Sequence, residues 1–156
     1  MSSTPQSLTG SATIVIDRPV ADVFAAVADV TRMGEWSPEC VACRWADGVA
    51  GPAVGATFEG DNVAKIGPIT AKRWTTTSEI TAYEPNTLFE FVAEGYSTWR
   101  YEFEAREGST VVTESFSFPP PAGVQKFVYE TVMRRSTSMV KGMQATLERI
   151  KQALEA

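Results

Sequence analysis

The chain has 156 residues, 44% of them hydrophobic and 21% charged, with a net charge of −5. That is enough chain to bury a real core in one domain, and an acidic balance with no basic run argues against a nucleic-acid surface. Histidine is absent, which removes Ser-His-Asp triads, Cys-His pairs and imidazole-ligated metals together, so catalysis would fall to carboxylates, tyrosine, lysine or bound water.

Residues 1–10 are rich in Ser and Thr and lack the charged and apolar regions of a signal peptide. They are expected to be a disordered lead-in to a single domain over 11–156. No 18-residue apolar run occurs, so no stable membrane insertion is expected, and a cytoplasmic location is the default. Ala12 to Ile16 is a short β-branched run that predicts the first strand. Pro19 suits the opening of a helix, and Val20, Val23, Phe24, Val27 and Ala28 continue it at helical spacing to about Asp29. A second helical turn, about Thr31 to Trp36, is closed by Ser37-Pro38.

Cys40 to Ala46 reads as a second strand. Its C-x2-C pair has no histidine or further cysteine with which to complete a zinc site. Residues three apart on a regular strand face opposite ways, a poor geometry for a disulfide. The pair therefore reads as two small apolar side chains. The Gly- and Pro-containing stretch 47–55 is a loop. Thr57 to Ile66 follows as a strand with Phe58, Gly60, Asn62 and Ala64 on one face. After the Gly67-Pro68 turn, Lys72 to Tyr83 forms a strand whose inward set would be Trp74, Thr76, Ser78, Ile80 and Ala82. The next strand carries Phe89 and Phe91 on one side and Glu90 on the other.

The stretches Thr98–Phe103 and Val111–Phe118 zip into a hairpin. A two-residue loop at Glu107-Gly108 pairs Arg106 with Ser109. Counting back, Phe103 faces Val112, Tyr101 faces Glu114 and Trp99 faces Phe116, all on one side. Glu114 is the one charge on that aromatic face. A packed core rejects an unpaired carboxylate, whereas a hollow holding water or a polar ligand accepts it. The alternatives are a bulge or a slipped register, which would turn Glu114 outward, or a place at the sheet's rim, where it is hydrogen-bonded to Tyr101 and does nothing else. Pro119-Pro-Pro121 ends the pairing. From Ala122 to the end a long helix is expected, with Val132, Met139, Val140, Met143, Leu147, Ile150 and Leu154 in one stripe. Met133, Met139, Met143 and Gly142 suit either a helix that roofs a cavity or an ordinary core stripe with one tolerated glycine.

This order of elements, an α+β layout of about seven antiparallel strands curved around a long C-terminal helix, resembles the helix-grip fold. The chain is similar to bacterial members of the SRPBCC superfamily, which includes START domains, polyketide cyclase/dehydrases and lipid-transport proteins. The matching stretches are Ile16-Asp-Arg-Pro-Val-Ala-Asp-Val-Phe-Ala, Met33-Gly-Glu-Trp-Ser-Pro, Thr98-Trp-Arg-Tyr-Glu-Phe, Thr113-Glu-Ser and Gly142-Met-Gln-Ala-Thr-Leu-Glu-Arg-Ile-Lys. The resemblance implies an elongated cavity between sheet and helix that holds an apolar or aromatic small molecule. Its expected lining is Trp36, Phe58, Trp74, Phe89, Phe91, Trp99, Phe103, Phe116, Met139 and Met143, with Asn62, Thr76 and Ser78 as polar groups; the same aromatics could instead fill the interior. Two function classes follow: a carrier or sensor of a hydrophobic ligand, and a polyketide aromatase/cyclase or dehydratase in which Glu114 acts as general base and Tyr101 or Trp99 orients a carbonyl. Neither requires a metal or cofactor, and either suits a monomer or a homodimer. A protein-interaction role, as in chaperone-activating relatives, would call for an exposed apolar patch, and none is legible.

Overall fold

The structure, a computed structural model, describes residues 8–118 and 126–156, with positions 8, 66 and 126–138 described in backbone alone. Its elements are β1 (Leu8–Ile16), α1 (Val20–Ala28), a 3-10 turn (Val30–Arg32), α2 (Met33–Trp36), β2 (Cys40–Trp45), β3 (Thr57–Ile66), β4 (Ile69–Glu84), β5 (Leu88–Ala93), β6 (Ser97–Arg106), β7 (Ser109–Phe118) and α3 (Lys126–Glu155). The strands form one open antiparallel sheet in the order β1-β7-β6-β5-β4-β3-β2. It is an α+β fold of the helix-grip type, as the order of elements predicts.

Local chemistry sets the joints. Pro19 has no N–H to lose at a helix start, and its carbonyl accepts from the amides of Asp22 (3.0 Å) and Val23 (3.2 Å). The α1 helix then buries Val23, Phe24, Ala26, Val27 and Ala28. Asp29 ends it and starts the 3-10 turn by accepting from the Thr31 amide at 3.1 Å. The hairpin turn has both central residues at positive φ, Glu107 at 45° and Gly108 at 86°, as a type I′ turn demands. Arg106 accordingly pairs with Ser109, and the register runs unbroken back to Thr98 opposite Ser117.

Three differences from the sequence reading have physical causes. The first strand begins at Leu8, not Ala12, so the expected disordered stretch 1–10 is corrected at its end: Leu8, Thr9 and Gly10 pair with Phe118, Ser117 and Phe116. Residues 1–7 lie outside the described residues. Gly10 is in the strand because only a bare Cα fits; a Cβ there would lie 2.6 Å from the Phe116 ring and 2.8 Å from Val140. On β4 a bulge at Thr81 breaks the alternation. Ala82 pairs with Glu90 and leaves the inward set, while Tyr83 pairs with Phe89 and packs its ring 5.5 Å from that of Phe24. On β2 the register also shifts, between Cys40 and Ala42.

The α3 helix lies against β1, β7 and α2. Met143, Leu147 and Ile150 are buried on its sheet-facing side, with Met139, Val140 and Leu154 partly buried beside them. Each fully buried aliphatic of this kind contributes about 1.5–3 kcal/mol. The far end of the helix is stapled to β1: the Lys151 ammonium donates to the Val15 carbonyl (2.9 Å), and Glu155 Oε2 accepts from the Asp17 amide (2.8 Å). The expected stripe residue Val132 and the expected Met133 lie outside the described side chains, and 119–125 outside the described residues. Among the described residues no helix is long and apolar enough to cross a membrane.

Candidate functional site

The centre of the sheet's inner face is held by two strands zipped in fixed register. Tyr101 on β6 sits opposite Glu114 on β7, and the Tyr101 hydroxyl donates to Glu114 Oε2 at 2.9 Å. Glu114 is only 3% exposed. Its other oxygen, Oε1, is buried and has no hydrogen-bond partner among the described residues. Burial raises the carboxyl from an ordinary 4.5 to about 8, with the Tyr101 hydrogen bond pulling the other way. Burial, followed by the charge and hydrogen bond of Glu114, holds the Tyr101 phenol well above its usual range. The site therefore contains a carboxyl able to exchange a proton near neutral pH and a buried oxygen, Oε1, with no hydrogen-bond partner among the described residues.

Aromatic rings surround this pair. Phe58 on β3, Phe91 and Phe89 on β5 and Tyr101 on β6 follow one another, with centroids 5.2, 5.8 and 6.4 Å apart. Trp99 leans on Phe116 at 5.7 Å. Phe103 sits nearer α1, edge-on to Phe24 at 5.1 Å. Trp74 is half-buried with the Lys72 ammonium 5.5 Å above its ring. Trp36 is enclosed beneath the Arg32 guanidinium, and its carbonyl accepts from Arg149 at 3.4 Å. From α3, Met143 is buried and Met139 partly so.

The expected polar residues gather toward the β3–β4 side. The Asn62 amide donates to Thr76 Oγ1 and to the Gly60 carbonyl, both at 3.1 Å. Ser78 is buried on the same strand face.

The sequence reading missed several residues of this face. Trp45 packs edge-on to Phe58 at 6.0 Å, Phe118 packs on Phe116 at 5.1 Å, and Tyr83 enters through the β4 bulge. Cys40 and Cys43 also differ from expectation. Their sulfurs do not face opposite ways but lie 3.2 Å apart. Val41 and Ala42 both turn outward, two residues where strand alternation allows one. The composition of β2 carries no signal for this.

Comparison with known proteins agrees with this architecture. The profile of the family described as "Polyketide cyclase / dehydrase and lipid transport" matches residues 7–155. A search of curated proteins gives no match. Among solved structures, the Polyketide_cyc-like protein of Corynebacterium glutamicum is 38% identical, covering 97% of this chain and 94% of that one, with a TM-score of 0.68. The di-domain ARO/CYC BexL of the BE-7585A biosynthetic pathway is 20% identical at a TM-score of 0.70; the match covers 96% of this chain and 50% of that one. An AHSA1-like protein of Aeromonas hydrophila is 22% identical, covering 94% and 92%, at a TM-score of 0.61. The last two likenesses concern the fold alone, but the profile match over nearly the whole chain and the 38% identity establish kinship, and the chain belongs to the polyketide cyclase/dehydrase and lipid-transport family.

Proposed function

We propose that the chain binds an apolar or aromatic small molecule between the inner face of the sheet and α3, with Glu114 and Tyr101 as its polar anchor. The observation that carries this reading is Glu114 Oε1, a buried carboxyl oxygen without a protein partner among the described residues. An unsatisfied buried polar atom costs about 1–3 kcal/mol. A ligand hydroxyl at that oxygen would remove the cost, and the surrounding rings of Phe91, Trp99 and Phe116 would take its apolar body. Asn62, Thr76 and Ser78 would then meet polar substituents further along. The test is tryptophan emission during titration with fatty acids and with hydroxylated polycyclic aromatics. Saturable quenching of Trp74 and Trp99 is expected, and a flat response to both classes sinks the reading.

A second reading is supported by the raised carboxyl of Glu114 and by the family's cyclase and dehydrase members: aromatase/cyclase or dehydratase chemistry on a polyketide. Glu114 would pass a proton and Tyr101 would orient a carbonyl oxygen. General acid–base assistance contributes about 10²–10⁴-fold, so Glu114→Gln should cut turnover by that factor while binding persists. Full turnover in the variant excludes this role.

A further inference from the structure

The cysteine pair of β2 has no part in the function proposed above. The bulge places both thiols on the inner side of the strand, with Val41 left outside at 51% exposure. Met33 of α2 brings a third sulfur: its Sδ lies 3.8 Å from Cys43 Sγ. Opposite them on β3 stands Gly60, where a Cβ would lie 3.2 Å from one cysteine sulfur and 3.4 Å from the other. The two elements that supply the sulfurs are locked together through backbone. A Cβ on Gly34 of α2 would lie 2.4 Å from the Val41 carbonyl oxygen, and Ser37 Oγ accepts from the Cys40 amide at 3.0 Å. Three sulfurs are thus gathered by preorganised backbone rather than by flexible side chains meeting by chance.

The donor set dictates what could bind. Among the described residues no group of three or more Cys, Asp or Glu gathers to hold a cation. Hard cations want oxygens, and zinc wants four nitrogen or sulfur ligands. Two thiolates and a thioether suit a soft metal ion. We propose that Cys40, Cys43 and Met33 form a binding site for a soft monovalent cation of the Cu(I) class. Binding makes two metal–thiolate bonds and one metal–thioether bond, releases both thiol protons to solvent and changes no oxidation state. With metal–sulfur bonds of ~2.3 Å, two ligating sulfurs lie ~3.8–4.0 Å apart. The Cys43–Met33 spacing already matches that separation. The two thiols, now at 3.2 Å, need only spread by ~0.6–0.8 Å, beside a residue with no side chain.

The test is an anaerobic titration of the reduced full chain with Cu(I) against a chromophoric chelator, read as thiolate-to-copper absorbance in the ultraviolet and as mass by native mass spectrometry. One copper per chain is expected. Cys40→Ser and Cys43→Ser should each weaken uptake by more than the ~10–100-fold typical for loss of an outer-shell partner. Met33→Leu keeps the volume and removes the sulfur; it should weaken uptake by ~10-fold while leaving the circular dichroism unchanged. If Cys40→Ser fails to fold, the half-buried Cys43 and Met33 variants still decide. No uptake in competition, wild-type affinity in Cys43→Ser, or wild-type affinity in Met33→Leu each overturns the three-sulfur site.

Discussion

At the scale of single residues, Glu114 folds as a neutral acid and unfolds as an anion over a wide pH window. Its carboxyl titrates near 4.5 in the unfolded chain and at about 8 when folded. Below pH 4.5 both states hold the proton and nothing is lost. Between 4.5 and 8 only the folded state holds it, so stability falls steadily as pH rises; above about 8 the loss is complete. The full loss is of order several kcal/mol at about 1.4 kcal/mol per pH unit. Glu114→Gln keeps the shape and cannot ionise. Urea midpoints at pH 5, 7 and 9 should show a gain over wild type that grows with pH and is largest at pH 9. A gain that is the same at all three values would show that the carboxyl is not buried in solution. Tyr101→Phe works in the opposite sense. It removes the donor at 2.9 Å and leaves both carboxylate oxygens unpartnered, so it should destabilise the fold at pH 9 by about 1–3 kcal/mol and by less at pH 5, where the acid is neutral.

At the scale of elements, what the sequence made legible depended on how each segment is constrained. The β6–β7 hairpin could be read residue by residue, because a two-residue turn fixes the register and alternation does the rest; Tyr101 opposite Glu114 followed from Glu107-Gly108 alone. The bulges could not be read. An extra residue at Val41 or Thr81 changes which side chains face inward without any change in composition, so Ala82 leaves the inward set and the two cysteines share one side instead of facing opposite ways. Gly10 shows a related failure. In sequence it falls in the lead-in expected to be disordered, whereas in the fold it is where Phe116 and Val140 press on β1. Two glycines can now be separated by what surrounds them. At Gly142 in α3 an added Cβ meets, among the described residues, only Pro38, at an ordinary 3.7 Å. Gly142→Ala should therefore stabilise the helix by about 1 kcal/mol, read as a higher melting temperature. At Gly34 the added Cβ would collide with the Val41 carbonyl. Gly34→Ala should lower the melting temperature and, by pushing α2 off the bulge, shift the cysteine sulfurs. If alanine at both positions has the same sign of effect, the close approach of α2 to β2 is wrong.

At the scale of the whole molecule, the two ends of the sheet's inner face are built differently. Near α1 the interior is solid: Phe24 lies between Tyr83 at 5.5 Å and Phe103 at 5.1 Å, and Ile16, Val23 and Val112 are fully buried around them. Away from α1 the face is looser, with Trp74, Thr76 and Trp99 only half-buried and Met139 partly covered. A ligand that shares this face with α3 would sit at the looser end, because the rings of Phe24, Tyr83 and Phe103 pack against one another at the other. The two ends should therefore separate under truncation. Phe24→Ala leaves a cavity in close-packed surroundings and should cost about 3–5 kcal/mol, while the affinity for the best-quenching polycyclic aromatic stays within about twofold in folded protein, the effect of a distant, uncoupled site. Trp99→Ala removes a half-buried ring beside Phe116 and should cost less stability. It should weaken the same aromatic by at least ~10-fold, the usual consequence of losing an aromatic anchor at a binding site. Chemical denaturation and fluorescence titration of both variants measure the two effects independently. If Phe24→Ala weakens the ligand as much as Trp99→Ala does, the ligand reaches the α1 end, and the division of the inner face into a structural half and a binding half is wrong.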